Sequence, residues 1–293
     1  MLEVVINRGV PGSGKSTYAH AWVMAQFNRV RVNRDDIRMQ GYGVEFGPPI
    51  NEDVVTKIEN GYIESALKAG ISVIVDDCNI EPKYVKNLAY MAWRYGATAR
   101  VQEFIVPLSQ ALENNKRRAE AGGRFVPESA ISRMFERMHP VSLPEFPKIE
   151  PYVPRLEMPD AILYDLDGTV ALMGDRDPFD FSRVSEDKVN QRVADIIRLE
   201  SMVGTTAIAF SGRDDSCYDD TVNWLADGRI PRNDLFMRKT GDKRKDAVVK
   251  LEMFNEHIRN VYNVKYVLDD RGQVVDMWRV LGLTCLQVAP GDF

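Results

Sequence analysis

Cysteine is scarce in this chain. Among 293 residues there are three, Cys78, Cys217 and Cys285, far apart and without a C-x-x-C pair. That spacing excludes a disulfide-framed secreted scaffold and predicts reduced, mostly buried thiols in a reducing compartment. Histidine is as sparse: His20, His139 and His257 are scattered, so no zinc site is expected. No apolar run approaches the length of a bilayer span. The first strand begins almost at Met1, which leaves no room for a signal peptide. The expectation is a cytoplasmic protein without membrane association. Basic excess is missing too. The net charge of −5 is unlike that of proteins that coat duplex nucleic acid, although a small basic pocket gripping one strand end remains compatible with it. There is no internal repeat and no low-complexity tract. What is present is ordinary globular material, 44% hydrophobic and 28% charged, enough for two domains with cores.

The N-terminal half is organised by Gly9-Val10-Pro11-Gly12-Ser13-Gly14-Lys15-Ser16-Thr17. An apolar run, Leu2 to Ile6, precedes it, and a helix-like run from Lys15 follows. Strand, G-x-x-x-x-G-K-[ST] loop and helix together form a phosphate cradle. The glycines let backbone N–H groups turn inward, and the helix N-terminus adds partial positive charge. Lys15 would reach the β- and γ-phosphates of ATP, and Ser16 would hold magnesium. A glycine-rich turn opening a helix is the plain alternative.

Further strands are expected at Arg29–Asp36, ending in its acids, Ile71–Val75 and Val101–Val106. Helices are expected from Asn51 to Lys68, from Pro82 to Tyr95, at Leu108–Arg118 and at Pro127–Met138. On the first of these helices Val54, Val55, Ile58, Tyr62, Ile63, Ala66 and Leu67 share a face. The segment with Gly41, Gly43, Gly47, Pro48 and Pro49 reads as a loop. Alternating strands and helices predict a doubly wound parallel sheet, with its site outside the strand carboxyl ends. Two of those ends carry polar residues, Asn33-Arg34-Asp35-Asp36 and Asp76-Asp77-Cys78-Asn79. Asp35 suits the base that takes a proton from an acceptor hydroxyl, and Arg38 suits a clamp on an acceptor phosphate. A helix cap and a surface arginine are their ordinary alternatives. Asp77 reads either as a magnesium ligand or as an acceptor-side group, with Arg34 and Asn79 beside it. Lys116, Arg117, Arg118 and Arg124, around Gly122-Gly123, read as a mobile lid whose arginines contact ATP, or as a solvated helix end.

Six prolines between His139 and Pro159 predict a semi-rigid connector. The expected division is a kinase-like domain at 1–140, a linker at 141–159 and a second domain at 160–293. In the second domain, Ala161–Tyr164 is a short strand ending in Asp165-Leu166-Asp167-Gly168-Thr169. The period of two places Asp165 and Asp167 on one side, and two carboxylates so close imply magnesium. Asp165 then suits a nucleophile at phosphorus, and Asp167 a general acid and base. Strand Thr205–Phe210 ends in Ser211-Gly212-Arg213, suited to phosphate oxygens. Asp246 and Lys250 lie four apart on a helix over Lys245–His257, and strand Val264–Leu268 ends in Asp269-Asp270, which would complete the metal site. About forty residues separate Asp167 from Ser211, room for one helix (Asn190–Met202) and a loop bearing Arg176, Asp177 and Arg183. The cap is therefore minimal, and an open site favours bulky substrates.

The order of acid pair, serine, lysine and acid pair resembles the haloacid-dehalogenase-type phosphatases. Joined to the phosphate loop, the whole chain resembles the bifunctional polynucleotide kinase–3′-phosphatases of T-even bacteriophage type. The stretches that carry this are Pro11–Thr17, Asn33–Arg38, Asp165–Thr169, Ser211–Arg213, Arg244–Lys250, Asp269–Val275, Met277–Arg279 and Gly291-Asp292-Phe293. The resemblance implies transfer of the ATP γ-phosphate to 5′-hydroxyl ends of RNA or DNA. It also implies removal of 3′-phosphates, cyclic 2′,3′-phosphates included. Lys15 and Ser16 match ATP-binding positions, Asp35 the general base, Arg38 the residue on the acceptor nucleotide's 3′-phosphate, and Asp77 the acceptor-side aspartate. Asp165 matches the nucleophile and Asp167 the acid/base. Arg176, Ser211, Arg213, Asp246, Lys250, Asp269 and Asp270 match functional positions. A homotetramer, a ligase acting next, and a phage protein in the host cytoplasm are implied as well. The chain departs from the pattern at Ala121, which stands where the family has a second lid arginine, and at Cys78, which replaces a threonine near the acceptor. Two rival readings are a small-metabolite kinase fused to a metabolite phosphatase, disfavoured by Arg38 and the short cap, and a nucleotide-switched nucleic-acid-binding protein with dead sites, disfavoured by intact Lys15, Asp35, Asp165 and Asp167.

Overall fold

A computed structural model describes residues 1–177 and 180–291. Asp292 and Phe293 of the terminal Gly291-Asp292-Phe293 stretch lie outside them. The chain divides into two compact units, Met1–Phe146 and Pro147–Phe293.

In the first unit, β1 (Glu3–Arg8), β2 (Arg29–Val32), β3 (Ser72–Val75) and β4 (Thr98–Glu103) form one parallel sheet in the order β2-β3-β1-β4. The uninterrupted apolar runs of β1 and β3 follow from burial on both faces. Val4, Ile6, Val73 and Val75 pack into one cluster with α3 (Glu52–Lys68) and α4 (Pro82–Arg94). Val5 and Ile74, pointing the other way, meet Ala19 and Trp22 of α1 (Lys15–Met24). The fourth strand begins three residues earlier than the expected Val101. It is an edge strand with half-exposed residues, so its sequence lacks the apolar run, and Val106 instead joins a separate cluster with Val10, Ala111 and Ile131. That cluster seats α5 (Leu108–Glu120) and α6 (Glu128–Glu136).

The helix after β2, α2 (Arg34–Tyr42), takes in Gly41, which sequence assigned to a loop. It stops at Gly43, whose left-handed backbone lets its N–H reach the Met39 carbonyl. On α3 the expected apolar face is only partly correct. Val55, Ile63 and Leu67 are buried, whereas Val54 and Tyr62 are exposed, and Glu59 is buried in an ion pair with Arg34.

The second unit holds a five-stranded parallel sheet. Its strands are β5 (Asp160–Tyr164), β8 (Thr206–Asp214), β9 (Asp234–Arg238), β10 (Asn263–Arg271) and β11 (Cys285–Gly291), in the order β11-β10-β5-β8-β9. Between β5 and β8 lie only a short antiparallel ladder, β6 (Ala171–Leu172) with β7 (Lys188–Val189), a 3-10 turn, and α7 (Gln191–Met202). Ile162, Tyr164, Ala207 and Ala209 pack on the side of α7 and α8 (Tyr218–Asp227). On the other side Phe210 meets Phe236 and Trp278 edge to face, and Trp278 meets Phe254, which seats α9 (Asp246–His257) and α10 (Gly272–Val280). Both units are thus doubly wound α/β folds.

No helix or strand is present from 138 to 159. Phe146 stacks on Trp93 of the first unit, and Tyr152 is buried in the second, its hydroxyl donating to the Tyr262 carbonyl. The three cysteines are unpaired. Among the described residues, no helix is long and apolar enough to cross a membrane.

Candidate active sites

The loop between β1 and α1 has the backbone of an anion cradle. Gly14 caps α1 with φ 98°, a conformation that suits glycine, and open space lies where a side chain would project. Lys15 is buried and donates from Nζ to the Val10 carbonyl at 2.8 Å, so its ammonium lies over the loop. Ser16 and Thr17 are exposed at the mouth. The Ser13 hydroxyl is buried and has no hydrogen-bond partner, as expected of a group waiting for a phosphate oxygen. These features fit a nucleoside triphosphate with its metal at Ser16.

Asn33 settles the role of the two acids after β2. Its side-chain oxygen accepts from the N–H groups of Asp35 and Asp36, so Asn33 is the helix cap and neither acid is. Asp35 is instead bracketed by guanidiniums: Arg38 Nη1 donates to Oδ1 at 2.6 Å and Arg124 pairs with Oδ2. Arg38 is held in turn by Glu52, which accepts from Nε and Nη2 at 2.9 Å each and also takes Arg34 at 2.7 Å. The hydrogen bonds from Arg38, joined by those from Arg34 and the charges of both, hold the Glu52 carboxyl down to about 2 against the opposing effect of burial.

Asp77 lies beside Arg34 and Glu59. It accepts from the Arg34 N–H at 3.2 Å and neighbours Glu59, and burial followed by Glu59 pushes its carboxyl well up. The acid beside the phosphate loop is Asp76, unassigned in the sequence. Asn7 donates to Asp76 Oδ1 and to the Lys15 carbonyl, and Arg31 donates to Asp76 Oδ2. Asn79 donates its amide to the Asn7 carbonyl, so it braces β1 and does not offer that group to an acceptor. The sulfur-bearing Cys78 closes the loop from behind, its carbonyl accepting from the Gly9 N–H.

The three expected ATP-binding arginines separate. Arg117 is exposed and donates to Asn114, whose amide donates to the Gly12 carbonyl. Arg118 donates to the Arg124 carbonyl and to Asn115. Arg124 faces Asp35 and Glu45. Where the segment expected to be a mobile lid rejoins the fold, buried Asn115 donates to the Val126 carbonyl and accepts from its N–H.

In the second unit the two acids of the D-x-D motif part company. Asp165, at the end of β5, accepts from Lys250 Nζ at 2.6 Å, and Lys250 also donates to Asp269 at 2.9 Å. Asp165, Asp269 and Asp270 bring carboxylate oxygens within 4.8 Å of one another. Burial pushes Asp165 up, opposed by Lys250 and reinforced by Asp269 and Asp270; Lys250 is held charged by Asp165, Asp269 and Asp246, which outweigh its burial. Burial and Asp269 push Asp270 up to about 6, and its Oδ2 is buried without a partner. Three buried acids against one lysine, with an orphaned oxygen among them, fit a hard divalent cation such as magnesium. Gly168 is required here: its φ is 81°, and a Cβ would run into Asp270 Oδ2.

Asp167 lies outside that trio, contrary to its expected place among the metal ligands. Arg213 donates to it from Nε and Nη2, at 2.9 and 2.7 Å, and Arg176 Nη2 donates at 2.6 Å. Both arginines also grip Asp187, Arg176 at 2.9 and 3.0 Å and Arg213 at 2.6 Å. The result is a closed square of two guanidiniums and two carboxylates. Arg176 and Arg213, expected on phosphate oxygens, are buried and committed to it. Asp187 was missed because no local motif surrounds it; Trp224 Nε1 fixes its carbonyl at 2.7 Å. Ser211 is buried and its hydroxyl accepts from the Arg213 N–H, while Gly212 leaves room for Asp246, where a Cβ would approach Oδ1 to 2.5 Å. Asp246 lies beside Lys250, Arg271 and Arg238, which together hold its carboxyl low despite burial. Arg238, also missed, ties Asp246 to the Gly212 carbonyl. Arg183 is exposed and pairs with Glu186.

Residues 159–293 match the family of polynucleotide kinase PNKP phosphatase domains, and residues 4–141 match an AAA domain family. One chain in the structure of the Pnkp1/Rnl/Hen1 RNA repair complex is 34% identical, covers all of this chain and 97% of its own, and superposes with a TM-score of 0.51. The chain belongs to the polynucleotide kinase–phosphatase family. A second structure of the Pnkp1/Rnl/Hen1 complex matches with 33% identity, 98% coverage of that chain and the same TM-score. The putative bifunctional polynucleotide kinase/RNA ligase of Autographa californica nuclear polyhedrosis virus is 33% identical over 298 residues, 95% of this chain and 41% of that protein. The chain therefore spans about two fifths of the length of that curated relative.

Proposed function

We propose that this family member is a nucleic-acid end-healing enzyme with two active sites, a 5′-hydroxyl kinase in 1–140 and a 3′-phosphatase in 160–293, joined by the proline-rich 141–159. The single observation that supports it most is the coexistence in one chain of a phosphate loop, with Asp35 held by Arg38 at a neighbouring strand end, and a buried acid trio flanked by an arginine-backed Asp167.

In the kinase, the loop N–H groups and the Ser13 hydroxyl bind ATP phosphates, and Lys15 turns from Val10 to the β- and γ-oxygens. Ser16 would hold magnesium, which would neutralise phosphate charge when bound. The acceptor's 5′-hydroxyl gives its proton to Asp35 as its oxygen attacks the γ-phosphorus, the bond from that phosphorus to the β-phosphate oxygen breaks, and ADP leaves. Arg38, with two N–H bonds on Glu52 and one on Asp35, keeps others for an acceptor phosphate. Arg117 and Arg124 are the lid arginines closest to this chemistry, and Arg118 braces the segment that carries Arg124.

In the phosphatase, Asp165 Oδ attacks the 3′-phosphorus and the P–O3′ bond breaks. Asp167, aimed by Arg176 and Arg213, enters the step protonated and gives that proton to the leaving 3′-oxygen. It then takes a proton from the water that hydrolyses the phosphoaspartate. Lys250 offsets the charge on Asp165 while Ser211, Gly212 and Asp246 shape the phosphate pocket. Asp165, Asp269 and Asp270 would hold magnesium, which would neutralise charge on the phosphoryl oxygens when bound. Cyclic 2′,3′-phosphates are a second substrate of this site.

The products, a 5′-phosphate and a 3′-hydroxyl, are what a polynucleotide ligase consumes, and the relatives whose names join a kinase to a ligase support that partnership. A homotetramer of a phage protein in the host cytoplasm completes the reading. The test is incubation with magnesium, labelled ATP and an oligonucleotide bearing a 5′-hydroxyl and a 3′-phosphate. Label gained at one end and phosphate lost at the other is expected; transfer to no oligonucleotide would sink the reading.

A further inference from the structure

We propose that Phe125, with Phe46 across the Arg124–Glu45 bridge, is a stacking platform for the bases at the acceptor end; this rests on the kinase reading above. Arg124 pairs with both Asp35 and Glu45. Each partner of the outer bridge is followed directly by an exposed phenylalanine: Phe46 is 80% exposed and Phe125 55%. Both phenylalanines therefore follow directly, in the chain, residues of the ion-pair relay that reaches Asp35.

Phe125 is presented, not merely left over. The residue before it is fixed by Arg118 Nε on the Arg124 carbonyl at 2.8 Å. The residue after it is fixed by both amide atoms of the fully buried Asn115, at 2.8 and 3.1 Å. Val126 is buried in the cluster of Val10, Ala111 and Ile131, while Phe125 beside it is exposed. A large apolar ring held outward on a clamped backbone costs little entropy to engage. The occupant is a nucleobase: the neighbouring groups handle a hydroxyl and phosphates, every base offers a π-face, and stacking of that kind tolerates any sequence. A ring beside an arginine also accepts a base without needing a groove deep enough to read its edges.

The test is steady-state kinase assays on paired oligonucleotide acceptors, one with a normal 5′-terminal base and one abasic at that nucleotide. For Phe125→Ala we expect about a ten-fold rise in the acceptor KM on the base-bearing strand, equivalent to about 1.4 kcal/mol. On the abasic strand the variant and wild type should coincide, and ATP KM and the phosphatase activity should be unchanged. Phe125→Trp should restore the normal KM, and Phe46→Ala should show a smaller base-dependent loss. A 2-aminopurine placed at the 5′ end should be quenched by wild type and not by Phe125→Ala. Equal loss on both strands, or no loss on either, would overturn the stacking assignment while leaving the kinase reading intact. A wild type that phosphorylates neither strand would overturn the kinase reading and this inference with it.

Discussion

Asp187→Asn isolates what the buried square behind Asp167 does. In the wild type two guanidiniums face two carboxylates, and Arg176, Arg213 and Asp187 are almost entirely shielded from water. The substitution keeps the volume and one acceptor oxygen but removes one negative charge, leaving a buried positive charge without compensation. Removing one partner of a buried pair costs about 3–5 kcal/mol. The retained acceptor puts this change near the lower figure. For a unit of this size, about 3 kcal/mol corresponds to a fall of roughly 6–12 °C in its unfolding temperature. Asp167 would also lose the partner that fixes the two arginines aiming it. General acid–base catalysis contributes about 10²–10⁴-fold, so phosphatase kcat should fall by at least about 100-fold. Scanning calorimetry and parallel phosphatase and kinase assays read both effects, with kinase activity as the internal control. A variant that unfolds with the wild type and keeps full phosphatase activity would refute the assignment of the square as Asp167's support.

Gly168→Ala should abolish phosphatase activity and cost about 1–3 kcal/mol, because φ is 81° and the new methyl collides with Asp270; calorimetric titration should show weakened magnesium binding, with kinase activity untouched. Glu52→Gln bears on pH. Its carboxyl is lowered from the ordinary 4.5 to about 2, so its stabilisation is complete above about 4.5 and fades as pH falls from there toward 2. Glu52 is half exposed, so screening limits the effect to about 1 kcal/mol or less. Denaturant midpoints of variant and wild type should differ at pH 7 and converge as pH falls through that window; a constant offset would contradict the assignment.

Much of the fold is legible because both sheets follow simple periodicities. Runs such as Val4–Ile6 and Ile162–Tyr164 are apolar on both faces and bounded by glycines or acids, so strand identity is plain. Edge strands escape that logic. β4 is half exposed, and of the two edge strands of the second sheet β9 has only Leu235–Met237 between Asp234 and Arg238, and β11 is interrupted by Gln287 and Pro290. The site motifs are legible where one local segment carries the chemistry, as at Gly9–Thr17 and Asp165–Thr169. Contacts closed by tertiary structure are not. Nothing around Asp187 or Glu52 in sequence indicates that each will hold two arginines, and arginine-rich segments do not reveal which guanidinium faces an acid. The period-of-two argument for Asp165 and Asp167 does not apply, because β5 ends at Tyr164 before either acid, and Lys250 draws Asp165 while Arg176 and Arg213 draw Asp167.

The central claim is that two independent sites act on opposite ends of one strand. The most direct measurement follows both ends of a single oligonucleotide, 5′-hydroxyl and 3′-phosphate, with labelled ATP and magnesium, in wild type, Lys15→Ala and Asp165→Asn. The account predicts that Lys15→Ala loses only 5′ labelling and Asp165→Asn only 3′ dephosphorylation. Either substitution abolishing both activities in a folded protein would contradict it.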